Sequence, residues 1–203
     1  MLDRTVAYER KDTFYKKAKQ AGYRSRSAYK LIELNNECHF LKPGGRIVDL
    51  GSWPGGWVQV GASLVGKTGH VVGIDLVALD PLPLTNVTLL QGDATDQAQQ
   101  EKIRTVLNGP ADVVLSDMAP KLSGIRERDD AYAMDLCHTA LTCARSLLRP
   151  GGTLLVKVFM GAAYQKFLTE LRTAFVAVKI TRPDATRKES AETYVLATGL
   201  RKS

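Results

Sequence analysis

The chain has 203 residues, 44% of them hydrophobic and 24% charged, so it fits one domain with a full hydrophobic core. No apolar run approaches the roughly 20 residues that cross a bilayer. The start is charged from Asp3 onward and lacks the apolar stretch of a secretory signal, so we expect a cytoplasmic location. Three cysteines without a Cys-x-x-Cys pair and three scattered histidines argue against a disulfide framework and against a metal site.

The positive charge is concentrated at the N-terminal end. Residues 1–30 hold nine basic and three acidic side chains, a net +6, which leaves +1 of the total +7 for the rest of the chain. This asymmetry predicts a polyanionic partner, with nucleic acid ahead of a membrane surface, although a solvated basic tail is the alternative. We expect residues 1–25 to form a contact segment for that partner and residues 26–203 to form a single domain.

Helical and strand-like segments alternate from residue 27 onward. In chain order we predict helix 27–37, strand 46–50, helix 56–65, strands 70–76 and 87–91, helix 97–107, strand 112–116, helix 129–148, strand 153–159, helix 163–174, and strands 177–181 and 193–198. We also expect Asp129 and Asp130 to cap their helix.

Strands that are almost continuously apolar and separated by helices indicate a parallel sheet covered on both faces. The last two strands are joined by the polar loop 182–192, which has no room for a crossover helix, so they should pair antiparallel. The predicted fold class is therefore α/β, doubly wound and Rossmann-like. Its sheet has seven mostly parallel strands, with one antiparallel strand near the edge.

Four ionisable residues stand beside or inside apolar segments: Lys30, Asp117, Lys157 and Glu192. A charge in a buried strand destabilises the fold unless it is paired. Two lysines and two acids can pair with one another, and the same pairing can tune a lysine to act on a hydroxyl proton. These are the candidate catalytic residues; an ion-pair network that only fastens the sheet edge is the alternative.

The turn after the first strand reads Asp-Leu-Gly-Ser-Trp-Pro-Gly-Gly-Trp over residues 49–57. Its glycines allow close approach of a ligand at the carboxyl edge of the sheet, but the spacing is not that of a dinucleotide site. Asp75 ends the second strand, where an acid can accept hydrogen bonds from ribose hydroxyls, and Asp93 ends the third, where an acid can accept from an adenine amine. Each acid alone reads more simply as a cap or turn residue; together with the turn they predict an adenosine-containing cofactor without a pyrophosphate.

These motifs resemble those of FtsJ/RrmJ-type (RlmE family) ribosomal RNA ribose 2′-O-methyltransferases. The similarity runs from about Tyr15 to Gly199. The segments that carry it are 25–31, 49–57, 91–93, 116–124, 155–159 and 192–195. The order Lys30, Asp117, Lys157, Glu192 is the specific part, since it resembles the Lys-Asp-Lys-Glu set of RNA ribose 2′-O-methyltransferases.

The resemblance implies S-adenosyl-L-methionine as cofactor and methyl transfer to a ribose 2′-hydroxyl, usually of a uridine in large-subunit ribosomal RNA on the assembled subunit. It places the following residues at the cofactor: Gly51, Pro54, Gly55, Gly56, Trp57, Asp75, Leu76, Asp93, Ala94 and Asp117. Trp53 departs from the family, which commonly has a small residue there. Its ring either reshapes the methionine pocket or packs outward.

Lys157 is the candidate general base for the hydroxyl proton. Burial and the neighbouring Lys30 disfavour its charged form, whereas Asp117 and Glu192 oppose that effect and orient the ammonium groups. A charged Lys157 would instead steer the hydroxyl and stabilise the developing oxyanion. Both roles remain open at the level of sequence.

RNA contacts are expected from cations interleaved with tyrosines, because cations meet phosphates and exposed rings stack on unpaired bases. The candidates are Lys16, Lys17, Lys19, Arg24 and Arg26, with Arg182 and Arg187 on the other flank. Tyr29, beside Lys30, is equally placed to join the core. We expect a monomer that binds ribosomal RNA or the large subunit. The alternatives are ribose methylation of a transfer RNA or an mRNA cap, and a non-catalytic RNA-binding assembly factor.

Overall fold

The structure, a computed structural model, describes residues 14–121, 123–186 and 190–202. Helix α1 covers residues 14–20 of this part. The elements that follow are α2 (Ala28–Cys38), β1 (Arg46–Leu50), α3 (Gly56–Val65), β2 (His70–Asp75), β3 (Val87–Gln91), α4 (Gln97–Val106), β4 (Ala111–Ser116), α5 (Arg126–Leu147), β5 (Leu148–Phe159), α6 (Tyr164–Ala174), β6 (Phe175–Thr181) and β7 (Glu192–Leu200).

The described strands form one seven-stranded sheet in the order β3-β2-β1-β4-β5-β7-β6. Strands β1 to β5 pair in parallel, and β7 runs antiparallel to both of its neighbours, β5 and β6. The predicted doubly wound α/β class, with one reversed strand next to the edge, is confirmed. Because the strand order reverses beside β1, the carboxyl ends of β1 and β4 frame a crevice.

Two apolar cores, one on each face, explain why the strands read as almost continuous apolar runs. Alternate residues of a strand point to opposite faces. On β5, Leu154 and Val156 join the core under α4, α5 and α6, whereas Leu155 joins the core under α2 and α3. A strand that is buried on both sides needs apolar residues at every position except where a charge is used.

Two predicted boundaries differ from the structure by three residues or more. Helix α5 begins at Arg126, so Asp129 lies within its first turn and does not cap it from outside. Its carboxylate instead accepts hydrogen bonds from the Ser123 N–H at 2.7 Å and the Gly124 N–H at 3.2 Å, and so holds the preceding loop. Strand β5 begins at Leu148 and not at residue 153, because Leu148 already pairs with Ala111 of β4.

The described residues include three cysteines, two of which are buried. No helix there combines the length and the apolar character that a bilayer span requires. Within the same residues, no three metal-binding side chains converge on one point. All three cysteines are free thiols, and burial raises the pKa of Cys137 to about 12 and that of Cys143 to about 11, which keeps both protonated.

Asp49 is an acid in the middle of this apolar sheet. It lies on β1 with 1% of its surface exposed, and its Oδ2 atom has no hydrogen-bond partner among the described residues. Burial, and then the charges of Asp117 and Asp75, raise the pKa of this carboxyl well above its usual range. The folded environment therefore stabilises the neutral form of this acid relative to a solvent-exposed carboxyl.

Core burial leads to a first prediction. Ile47 on β1 is fully buried, whereas Ile180 on the edge strand β6 is 45% exposed. We expect Ile47→Ala to lower the free energy of unfolding by about 2–5 kcal/mol, since it removes buried methyl groups and leaves a cavity. The matched variant Ile180→Ala should change it by about 0.5 kcal/mol or less. Denaturant unfolding of both variants checks this, and equal losses would contradict the burial assignment.

The buried acid leads to a second prediction. Because the pKa of Asp49 is higher in the folded state than in the unfolded state, the unfolded state releases this proton first as the pH rises. The titration of Asp49 therefore does not change the free energy of unfolding below about pH 4. Above about pH 4 it lowers that free energy, by at most about 1.4 kcal/mol per pH unit.

The isosteric variant Asp49→Asn lacks this titration. The difference in unfolding free energy between variant and wild type should shift in favour of the variant as the pH rises from 4 to 8. Urea unfolding at several pH values measures this difference. A constant difference across that range would show that Asp49 titrates normally.

Candidate active site

Lys157 and Asp117 form an ion pair at the carboxyl edge of the sheet. Asp117 directly follows β4, and Lys157 lies near the end of the adjacent strand β5. The Lys157 Nζ atom donates to the Asp117 backbone carbonyl at 2.6 Å and lies 3.1 Å from Asp117 Oδ1. The lysine side chain is almost fully buried, so this pairing supplies the acceptors that its burial requires.

Lys30 and Glu192 form a second ion pair beside the first. Lys30 comes from helix α2 and Glu192 begins β7, and their Nζ and Oε1 atoms are 2.5 Å apart. Both side chains are largely buried. The four charges singled out in the sequence are thus paired lysine with acid, across elements that are far apart along the chain.

Tyr194 joins the two pairs and was missed by sequence reasoning. Its hydroxyl donates to Asp117 Oδ1 at 2.6 Å, and Lys30 Nζ lies 5.7 Å from the centre of its ring. Lys157 and Tyr194 are directly opposite each other in the antiparallel pairing of β5 with β7. Burial, and then the charges of Asp117 and Glu192, raise the pKa of Tyr194 well above its usual range, so the phenol remains a donor.

The signal for Tyr194 is present in the sequence. It stands two residues after Glu192 on the same strand, and residues two apart on a strand point to the same face. A tyrosine in an apolar strand nevertheless reads as core, and Tyr194 is indeed fully buried. Only the three-dimensional pairing shows that its hydroxyl ends at a catalytic candidate.

The turn after β1 brings the backbone close to its neighbours. Gly51 has φ +70°, and a Cβ atom there would lie 2.4 Å from Met118 Cγ, so a larger residue does not fit. Gly55 has φ +110° and precedes the first residue of α3, Gly56. Trp57 is buried and its indole N–H donates to the Ser27 carbonyl at 2.8 Å, so its side chain faces the interior.

The loops after β2 and β3 carry the other predicted cofactor residues. The Asp75 carboxylate accepts hydrogen bonds from the Trp53 and Val77 N–H groups, both at 2.9 Å. Asp93 Oδ1 accepts from the Thr95 N–H at 2.8 Å, and the Ala94 carbonyl accepts from Gln100 at 3.0 Å.

This edge fits an adenosine-containing cofactor. Each carboxylate has about four acceptor sites, so Asp75 and Asp93 retain capacity for hydroxyl or amine donors. Beside them, Leu76 presents an apolar side chain that is 70% exposed. The indole of Trp53 is 60% exposed. Its ring therefore points outward, which is the second of the two arrangements expected from the sequence.

The predicted RNA-binding cations fall into three groups. Lys16, Lys17 and Lys19 are exposed on helix α1, which is anchored by the buried Ala18. Arg24 and Arg26 contact backbone carbonyls of the protein itself, and Arg182 donates to the Ser190 carbonyl at 2.8 Å. Arg187 lies outside the described residues.

The aromatic residues of the N-terminal segment behave differently from one another. Tyr29 is half-buried, with ring centres of Phe14 and Tyr23 at 5.7 and 5.9 Å, so it belongs to an aromatic cluster. Tyr15 is 59% exposed. The segment therefore both packs on the domain and presents cations and a ring to its surroundings.

Comparison with known proteins agrees with this geometry. The family model of FtsJ-like methyltransferases matches residues 23–200. A ribosomal RNA large subunit methyltransferase E of Methanothrix thermoacetophila is 49% identical over 94% of this chain and 73% of its own length. The protein of the same name from Syntrophobacter fumaroxidans is 45% identical over 98% of this chain and all of its own.

Solved structures agree as well. A Plasmodium falciparum chain assigned as a ribosomal RNA methyltransferase superposes with a TM-score of 0.78 at 30% identity, over 89% of this chain and all of that one. Aeropyrum pernix fibrillarin, solved with bound S-adenosyl-L-methionine, has a TM-score of 0.55 at 18% identity, over 78% of this chain and 68% of its own, and supports the fold alone. The family model matches most of the chain, and the relatives at 45–49% identity cover nearly all of it. This chain therefore belongs to the FtsJ-like methyltransferase family.

Proposed function

We propose that the protein transfers the methyl group of S-adenosyl-L-methionine to the 2′-hydroxyl of a ribose in large-subunit ribosomal RNA, with a uridine of the assembled subunit as substrate. The observation that carries this proposal is the buried cluster in which Tyr194 joins the pairs Lys157–Asp117 and Lys30–Glu192. The cluster adjoins the turn after β1. The names of the relatives at 45–49% identity support the same substrate class.

The chemistry needs little beyond alignment and a place for one proton. When bound, S-adenosylmethionine supplies a methyl group on a sulfonium, which is already electrophilic. The ribose hydroxyl is a poor nucleophile near neutral pH, so the protein must hold it in line and receive its proton. Alignment alone lowers the barrier by several kcal/mol, up to roughly 7–11 in ideal intramolecular models.

Lys157 is the residue proposed to act on the hydroxyl. A lysine ammonium has three N–H donors. One donates to the Asp117 carbonyl at 2.6 Å, and the ion-pair contact with Asp117 Oδ1 at 3.1 Å orients the group. This arrangement leaves a proton for the acceptor oxygen. As a general base, Lys157 must lose this proton before it can take the one that leaves the hydroxyl, so the rate of transfer should rise with pH.

The other members of the cluster position Lys157. Asp117 Oδ1 is held by Tyr194 and Lys157, and Oδ2 makes no hydrogen bond to the described residues, which leaves it to orient the amine of the methionine moiety. Glu192 holds Lys30 over the ring of Tyr194. Each charge has a partner, so the cluster keeps its shape when the RNA excludes water.

The substrates are proposed to approach from two sides. Gly51, Asp75 and Asp93 line the cofactor side, while Lys16, Lys17 and Lys19 of α1 and Arg26 and Arg182 line the RNA side. Residues 1–25 act as the RNA-contacting segment of a 26–203 methyltransferase domain. The working form is proposed to be a cytoplasmic monomer bound to the large subunit.

The direct test is methyl transfer from labelled S-adenosylmethionine to purified, undermethylated large ribosomal subunits. Wild type should label a ribose 2′-oxygen, and Lys157→Ala should lose this activity while it still binds the cofactor. Free transfer RNA and capped mRNA serve as competing acceptors in the same assay. Cofactor binding without label on the subunit, but with label on one of these RNAs, would overturn the substrate assignment.

Lys157→Arg separates the two roles of the lysine. Arginine stays protonated and cannot accept the hydroxyl proton, so a base role predicts that the variant is as inactive as Lys157→Ala. The wild-type rate under single-turnover conditions should rise with pH. Substantial activity of the arginine variant with a flat pH profile would assign Lys157 to electrostatic orientation instead.

Tyr194→Phe tests the link between the ion pairs. It removes a buried hydrogen bond to a carboxylate, so the free energy of unfolding should fall by about 1.5–3 kcal/mol. Turnover should fall less than in Lys157→Ala, because the hydroxyl positions Asp117 and takes no proton itself. Chemical unfolding and single-turnover rates measure both effects, and a complete loss of turnover in a folded variant would show direct participation of the phenol.

A further inference from the structure

Arg24 lies in the segment between the cations of α1 and the catalytic candidate Lys30, yet its guanidinium contacts the backbone of the protein itself. Its Nη1 atom donates to the Asp80 carbonyl at 2.6 Å and to the Pro54 carbonyl at 3.4 Å. Its Nη2 atom donates to the Pro81 carbonyl at 2.6 Å. The rigid fork of an arginine matches such a set of acceptors, whereas the single ammonium of a lysine does not.

These carbonyls belong to two loops. Pro54 lies in the turn after β1, and Asp80 and Pro81 lie in the loop between β2 and β3. The turn after β1 also contacts the end of β2, where the second loop begins, through the hydrogen bond from the Trp53 N–H to Asp75. Turn carbonyls have no partner in a helix or sheet ladder, so the guanidinium supplies the donors that hold the two loops in register.

The stem of Arg24 is fixed as well. Its backbone N–H donates to Gln59 Oε1 at 2.8 Å, and Gln59 Nε2 donates to the Gly22 carbonyl at 2.9 Å. A Cβ atom on Gly55, at φ +110°, would lie 3.2 Å from Arg24 Cδ. The backbone of Arg24 and the middle of its side chain are therefore held by α3 and by the turn that precedes that helix.

We propose that Arg24 is a positioning residue for S-adenosylmethionine, which sets the separation of the loops 51–55 and 76–86, and that it does not contact RNA phosphate. This revises the RNA-binding role expected for it from the sequence. The inference rests on the proposed function, because it takes these loops to hold the cofactor. It also implies that the segment which carries helix α1 is fastened to the loops that the proposal assigns to the cofactor.

The test uses two variants with different charge. Arg24→Lys keeps the positive charge but loses the fork, and Arg24→Gln loses both. We expect each to raise the dissociation constant of S-adenosylmethionine roughly ten- to hundredfold, as measured by calorimetry on the full chain without RNA. At saturating cofactor, kcat on undermethylated subunits should stay within about twofold of wild type, because the Lys157 cluster is untouched. General destabilisation of the protein would not raise the KM for the cofactor while leaving kcat unchanged.

RNA binding provides the contrasting measurement. Lys19→Gln serves as the control, since Lys19 is an exposed cation of α1. It should leave the affinity for the cofactor unchanged and reduce the slope of log K against log salt for RNA by about one. Arg24→Lys and Arg24→Gln should both keep the wild-type slope.

The outcomes separate the hypotheses. An unchanged cofactor affinity in both Arg24 variants, or a reduced salt slope in Arg24→Gln that Arg24→Lys restores, would overturn the positioning role in favour of a phosphate contact. Wild-type protein that fails to bind S-adenosylmethionine at all would refute the proposed function. In that case faster amide hydrogen exchange of residues 76–82 in Arg24→Lys would still support the structural part of the inference, and unchanged exchange would reject it.

Discussion

The requirement that every buried charge has a partner determines how this active site is built. Lys157 and Glu192 are each less than a tenth exposed, in a sheet whose other buried side chains are mostly apolar. Removing one partner from such a pair leaves a desolvated charge, which costs several kcal/mol. The pairs therefore specify which elements must meet: β4 with β5 through Asp117 and Lys157, and α2 with β7 through Lys30 and Glu192. The antiparallel β7 then places Tyr194 between them.

The same constraint connects the site to its substrates. A cluster with rigidly paired charges presents one fixed geometry to the reacting hydroxyl, so catalysis depends on delivering both substrates to it accurately. Delivery is the task of loops, which carry few ladder hydrogen bonds of their own. In this protein the loop 76–86 and the turn after β1 are held by side chains from outside the sheet, chiefly the guanidinium of Arg24. Precision in the cleft thus originates in the N-terminal segment.

Much of the fold, and the four paired residues Lys30, Asp117, Lys157 and Glu192, could be predicted from the sequence because burial restricts which residues a strand can carry. Strands buried on both faces must be apolar, so Lys157 within β5 and the acids at strand ends stand out as exceptions. The antiparallel pairing followed from the length of the loop 182–192 alone. The features that the sequence did not reveal depend on contacts between residues that are distant along the chain or on backbone groups. Asp129 is of a residue type that often caps helices, but its carboxylate instead accepts hydrogen bonds from the loop that precedes α5. The contacts of Arg24 could not be foreseen either, because its partners are backbone carbonyls, which every residue carries and no sequence pattern marks.

The strand order has a consequence for how the protein is made. Strand β7 comes last in the chain among the seven described strands, yet it lies between β5 and β6 and carries Glu192 and Tyr194. Before β7 joins the sheet, β5 has one edge unpaired, Lys30 lacks Glu192, and the Asp117 carboxylate lacks the Tyr194 hydroxyl. Strand edges and apolar surface exposed in this way favour association with other chains. The proposed catalytic cluster is therefore complete only after β7 has joined the sheet between β5 and β6.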